Sequence, residues 1–163
     1  MRGASIVAVA PLLAFCLAAA CSIERADVRT PSGQPPEADT TQVRATLDSF
    51  RQALVAGDLT AIDSLFAEEA RVYMSGESMG WARFRAAHLA DTLEGASGRR
   101  LEFDDVAVHL ADETAWATLR WTLSATRDGG PTTSRGVATF VLEKREGRWR
   151  VVHLHESEVP ASP

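Results

Sequence analysis

Residues 147–157 read GRWRVVHLHES. After the glycine, Trp149, Val151, His153, His155 and Ser157 alternate with Arg150, Val152, Leu154 and Glu156. A period of two is that of a β-strand, whose successive side chains point to opposite faces. On that parity the two histidines follow a Trp and a Val onto one surface, about 6.6–7 Å apart by strand rise. Upstream, 100–112 (RLEFDDVAVHLAD), 113–128 (ETAWATLRWTLSATRD) and 133–145 (TSRGVATFVLEKR) also read as strands. The breaks between them, Asp112-Glu113, Gly129-Gly130 and Glu146-Gly147, are those of hairpin turns.

The N-terminal half has a different period. In 40–58 (TTQVRATLDSFRQALVAGD), Val43, Leu47, Phe50 and Leu54 recur at helical spacing, with Thr40 or Thr41 available as N-cap and Gly57 as terminator. Asp58 can cap a short second helix that carries Leu59, Ile62, Leu65 and Phe66 inward. Residues 70–76 (ARVYMSG) read as a short strand. Residues 78–93 (SMGWARFRAAHLADTL) read as a third helix with Trp81, Phe84 and His88 along one face. Three helices followed by a long antiparallel meander predict an α+β domain, with helices packed on one face of a curved sheet.

Three features carry a family likeness: residues 50–76 (FRQALVAGDLTAIDSLFAEEARVYMSG), the aromatic-bearing third helix and the closing W-x-x-x-H-x-H-x-S strand. Together they resemble the NTF2-like superfamily, its SnoaL-like and DUF4440 branch in particular. The TLRWTL and WRVVHLHES strands are also similar to the association domain of calcium/calmodulin-dependent kinase. The likeness spans 41–158. It implies a cone, a strongly bent, mainly antiparallel sheet wrapped around three N-terminal helices. It also implies a deep pocket, and a homodimer formed through the outer face of the sheet. The superfamily includes isomerases, dehydratases, cyclases and non-catalytic assembly domains, so fold alone does not decide activity.

Candidate site residues come from strand parity and from this likeness. In 115–123, Trp116, Thr118, Arg120 and Thr122 share a mixed face opposite Ala115, Ala117, Leu119, Trp121 and Leu123. The likeness puts Arg120 in the pocket, where a guanidinium can hold a carboxylate bidentately or steady an enolate. The other reading is a solvated Arg120 paired with Glu102 or Glu143. His153 is the expected acid or base and Tyr73 the expected hydroxyl donor, with Trp81, Phe84, His88, Trp116 and His155 as pocket-lining residues. The bland readings stay open: a structural His153, an interfacial His155, and aromatics that only fill the core. An H-x-H pair can bind zinc, but a catalytic zinc wants three protein ligands, and only His88 and His109 are left to supply one. No metal and no cofactor is expected.

The chain ahead of the domain adds a location. Residues 1–21 (MRGASIVAVAPLLAFCLAAAC) have Arg2 followed by an uncharged apolar run ending in small residues, which reads as a secretory leader over 1–20. LAAAC resembles a lipobox, which makes Cys21 the expected lipidation site. Ser22 after it resembles the signal for the periplasmic face of the bacterial outer membrane. Residues 22–40, with three prolines and no periodicity, are expected to be a tether reaching roughly 25 Å. Residues 159–163 form a tail. With 17 basic against 22 acidic residues, interleaved, the chain has no basic stripe of the kind that binds nucleic acid. The expectation is an envelope-located pocket domain for a small anionic or carbonyl-bearing ligand, with acid-base activity in view. The alternative is a non-catalytic dimerisation or interaction module on the same fold.

Overall fold

The sheet is built of six strands in the order β2-β1-β6-β5-β4-β3, and the helices pack on one of its faces. The structure, a computed structural model, describes residues 37–94 and 96–159. The expected leader, Cys21, the tether up to residue 36 and the tail beyond Val159 lie outside the described residues. Among the described residues no helix is long and apolar enough to cross a membrane.

Helix α1 spans Glu37–Ala56 and buries Val43, Leu47, Phe50, Ala53 and Leu54, which is the helical stripe expected. It begins ahead of Thr40 and Thr41, so neither is its N-cap. Instead the Thr41 hydroxyl donates to the Glu37 carbonyl within the helix at 2.9 Å. Four residues expected to belong to the tether are therefore helical, and Lys144 bonds Asp39 at 2.5 Å to pin this first turn to the sheet. The helix closes with Asp58 N–H on the Ala53 carbonyl and Gly57 N–H on that of Leu54. This bond pair needs a left-handed residue, and Gly57 supplies it at φ 74°. Asp58 then caps α2 (Leu59–Asp63) by accepting from Ala61 N–H at 2.9 Å.

Two boundaries differ from the periodicity reading. Phe66 opens strand β1 (Phe66–Met74) rather than closing α2. Ser78, Met79 and Gly80 belong to β2 (Glu77–Gly80), an edge strand hairpinned onto β1, and not to the third helix. That helix runs as α3 (Trp81–Phe84), a π-helical turn (Arg85–Leu89) and α4 (Ala90–Leu93). His88 and Leu89, both in this wider turn, line the same cavity.

The meander follows as expected: β3 (Ala96–Ala111), β4 (Thr114–Arg127), β5 (Gly130–Arg145) and β6 (Arg148–Glu158), all antiparallel neighbours. One turn is shifted: the β4–β5 turn is Asp128-Gly129, with φ of 52° and 78°, and not the expected Gly129-Gly130, because Gly130 already pairs with Arg127. The β6 strand returns to lie parallel to β1 in the middle of the sheet. Between helices and sheet sits an aromatic core. Phe50 meets Phe66 and Phe140 edge-on at 5.8 and 5.6 Å, and Phe66 stacks on Trp81 at 3.8 Å.

One irregularity decides which side chains reach this interior. Along β5 and β6, Leu142 pairs with Val151 but Val141 pairs with His153, which leaves Val152 as an extra residue. A β-bulge of this kind reverses the facing of everything beyond it. Trp149 and Val151 are buried before it, and after it Leu154 is buried while His155 is exposed.

Candidate functional site

Beyond the core the helices and the inner sheet face enclose a cavity of about 410 Å³. Its walls are apolar: Phe50 and Leu54 of α1, Phe84 and Leu89 of the third helix, Met74 of β1, and Leu101, Phe103, Leu119, Trp121, Phe140 and Leu154 of the sheet. Small residues make part of its floor, notably Ala138, and the adjacent Gly136 is glycine for a steric reason. A Cβ there would meet the Trp121 ring at 2.8 Å and collide with the Ser157 carbonyl. The indole thus lies across Gly136, its Nε1 buried with no hydrogen-bond partner.

The charged groups are few and segregated, and Thr92, Thr132 and Ser134 add hydroxyls to the lining. Glu156 and Glu158 project from β6, opposite Ala138 and Gly136. Glu156 is partly buried and has no hydrogen bond or ion pair with any described residue. Burial, with the Glu158 charge as a lesser cause, pushes its carboxyl up to about 7. Arg99 and Arg127 lie towards the other end. Arg99 donates to the Leu93 carbonyl at 3.0 Å and to that of Val55 at 3.3 Å, and Arg127 donates to that of Asp91 at 2.9 Å. Each guanidinium satisfies carbonyls that end a helix. His88 also lines the cavity, its ring 6.0 Å from that of Phe84.

Of the residues expected to line a pocket, Phe84 and His88 do so. Trp81 does not: it is buried in the core against Phe66, and its Nε1 donates to Asp63 at 2.6 Å. Arg120, His153 and Tyr73 do not converge on a pocket. Arg120 is on the outer sheet face, where it forms an ion pair with Asp105 at the φ-positive bulge of β3. Neither Glu102 nor Glu143 is its partner. The bulge at Val152 puts His153 and His155 on this outer face too. His153 stacks on Tyr73 there at 4.9 Å, and burial together with the neighbouring His155 charge lowers its pKa. Trp116, 41% exposed, is also outside, stacked on His109 at 5.0 Å.

Parity counting from Trp149 missed Glu156 and Glu158 because it ran through the bulge. A signal was present: unbroken alternation would have buried two histidines and put Leu154 in water, the wrong way round by transfer energies. Arg99 and Arg127 gave no signal, since their partners are carbonyls of distant helix ends.

A family model for the SnoaL-like domain matches residues 43–162. The chain belongs to the SnoaL-like family. Solved structures agree on the fold. An NTF2-like superfamily protein from Salmonella enterica is 22% identical, with a TM-score of 0.67 over 77% of this chain and 96% of that one. A proposed dehydratase of the NTF2-like family from Streptomyces avermitilis is 21% identical, with a TM-score of 0.69 over 77% and 99%. A proposed calcium/calmodulin-dependent protein kinase II association domain from Xanthomonas campestris is 22% identical, with a TM-score of 0.67 over 80% and 94%. No curated protein matches the chain. The SnoaL-like domain is thus an α+β, NTF2-like fold whose inner face carries an acid in an aromatic cavity.

Proposed function

We propose that this SnoaL-like domain binds a small, largely apolar molecule through Glu156, a carboxyl that can hold or release its proton as the ligand requires. The observation that carries the reading is an unpartnered carboxyl inside an aromatic-walled cavity. Pockets of this sort, mostly apolar with a few convergent polar groups, are the usual form of a small-molecule site. An apolar cavity of about 150 Å³ holds benzene, so about 410 Å³ suits a ligand of about 16 non-hydrogen atoms. A carboxyl that titrates near neutrality is present in both forms there, which is what an acid-base group needs. Two glutamates at one end disfavour an anionic group at that end. The group that meets Glu156 is a carbonyl accepting from the acid or a donor bonding the carboxylate. Arg120, His153 and Tyr73 have no part in this site.

Native mass spectrometry of protein purified from its own host tests the reading, with Glu156→Gln as the comparison. The expected result is a bound small molecule on the parent chain and a changed occupancy on the variant. An empty parent chain that also binds nothing from a metabolite extract refutes it.

The outer sheet face favours a second role for the same domain, as a homodimer. Tyr73, Trp116 and Val137 are exposed there at 38, 41 and 51%, the kind of apolar surface that marks an interface. Light scattering of Trp116→Glu against the parent chain decides it: a monomer from a parent dimer supports the role, and a monomeric parent refutes it. An envelope location through lipid on Cys21 completes the proposal, supported by the apolar run and LAAAC ending of 1–21. Its test is metabolic labelling with a fatty-acid analogue, which Cys21→Ser must abolish.

A further inference from the structure

From the placement of the second glutamate we infer that the ligand is an amine, bound as a cation between Glu156 and Glu158 against the aromatic wall. The inference rests on the pocket reading and names its ligand class. After the bulge, the partly buried Glu156 and the solvent-exposed Glu158 lie two residues apart on one strand face, both lining the cavity, so their Cα atoms are about 6.6–7 Å apart. A carbonyl ligand would engage one protonated carboxyl and gain nothing from a second acid beside it. A cation gains from both, and it removes the like-charge conflict between them. The surrounding surface suits the same ligand: Trp121 and Phe103 occupy the row of Glu158 and Gly136, and aromatic faces attract cations.

The other charged groups of the cavity do not occupy this position. Arg127 pairs with Gly130, six residues along β5 from the Gly136 that faces Glu158, about 20 Å by strand rise. Arg99 follows closer on β3, beside Arg100 whose row is Ser124 and Thr133, but its guanidinium is held on the carbonyls of Val55 and Leu93 at helix ends. On the third helix the titratable group facing the cavity is His88; Met74 of β1, which pairs with Glu156, brings no charge. An amine entering near neutrality therefore ionises Glu156. The carboxyl proton leaves to solvent while the ammonium keeps its own, so binding releases up to one proton.

The test uses three probes of like size: 2-(2-naphthyl)ethylamine, 2-(2-naphthyl)ethanol and 2-naphthylacetate. Each is titrated calorimetrically at pH 6.5 into the full domain, in two buffers of different ionisation enthalpy. The amine is expected to bind about tenfold tighter than the alcohol, as a charge-assisted pair requires, with the acetate weakest and proton release seen for the amine alone. Glu158→Gln should cut the amine's preference several-fold and leave the alcohol's affinity unchanged. Glu156→Gln should abolish the proton release. If the alcohol or the acetate binds as tightly as the amine, the inference is overturned while the pocket reading stands. If none of the three binds below millimolar, the pocket reading fails and takes the inference with it.

Discussion

Replacing Glu156 with Gln should stabilise the domain, and only above a definite pH. The carboxyl has an ordinary value of 4.5 and is raised to about 7 in the fold. A group whose folded pKa is raised contributes fully below its unfolded value and loses that contribution as pH climbs through the folded one. In the parent chain the stability attached to Glu156 is therefore intact at pH 4 and lost between pH 5 and 8. At about 1.4 kcal/mol per unit the shift corresponds to roughly 3 kcal/mol at most, and residual contact with water reduces it to about 2 kcal/mol. Gln has the shape and neutrality of the protonated acid, so the variant should not show the loss. Urea unfolding of both proteins from pH 4 to 8.5 measures the difference. The curves should coincide near pH 4 and part by about 2 kcal/mol at pH 8, a Tm gap of several degrees for a domain of this size. Parallel pH profiles, or a parent chain that gains stability relative to the variant as pH rises, would refute the buried-acid argument and with it the proposed carboxyl that can hold or release its proton.

Three further perturbations probe the frame of the site. Gly136→Ala must displace the Trp121 ring or the Ser157 backbone; it should cost about 1–3 kcal/mol by overpacking and alter the near-ultraviolet circular dichroism. Asp63→Ala removes the acceptor of the buried Trp81 Nε1 and should cost about 1–3 kcal/mol in chemical denaturation. Asp63→Asn, which keeps a carbonyl oxygen, should recover most of it. His155→Ala removes the lesser of the two causes that lower the His153 pKa. The His153 imidazole, followed by NMR, should then titrate at a higher pH than in the parent chain, though still below the ordinary 6.5 because burial remains.

The fold was legible because its signals are redundant. Val43, Leu47, Phe50 and Leu54 state a helix at four positions, and each hairpin of the β3–β6 meander is announced by turn residues as well as by the alternation on either side. Losing one such signal leaves the element recognisable. The boundaries that shifted, Phe66 and Ser78–Gly80, fall where an apolar run suits a helix end and a strand start alike and only tertiary pairing chooses.

The candidate site has no such redundancy. Its identity depends on a single unpaired residue, Val152, because strand facing has period two and one inserted position exchanges the two sides. With that residue counted in the ladder, His153 faces the interior and Glu156 the solvent, which is the histidine-centred site that parity predicts. With it bulged, Leu154 packs into the core, His153 moves outside to stack on Tyr73, and Glu156 enters the cavity. Energy favours the second arrangement: Leu154 is buried, and in place of two imidazoles the cavity takes the Glu156 carboxyl, which can stay neutral, and that of Glu158, which stays exposed to water. The same bulge that satisfies the core therefore selects the chemistry of the pocket. In this sheet the acid was moved inward by packing, and its capacity to hold or release a proton follows from where Leu154 had to go.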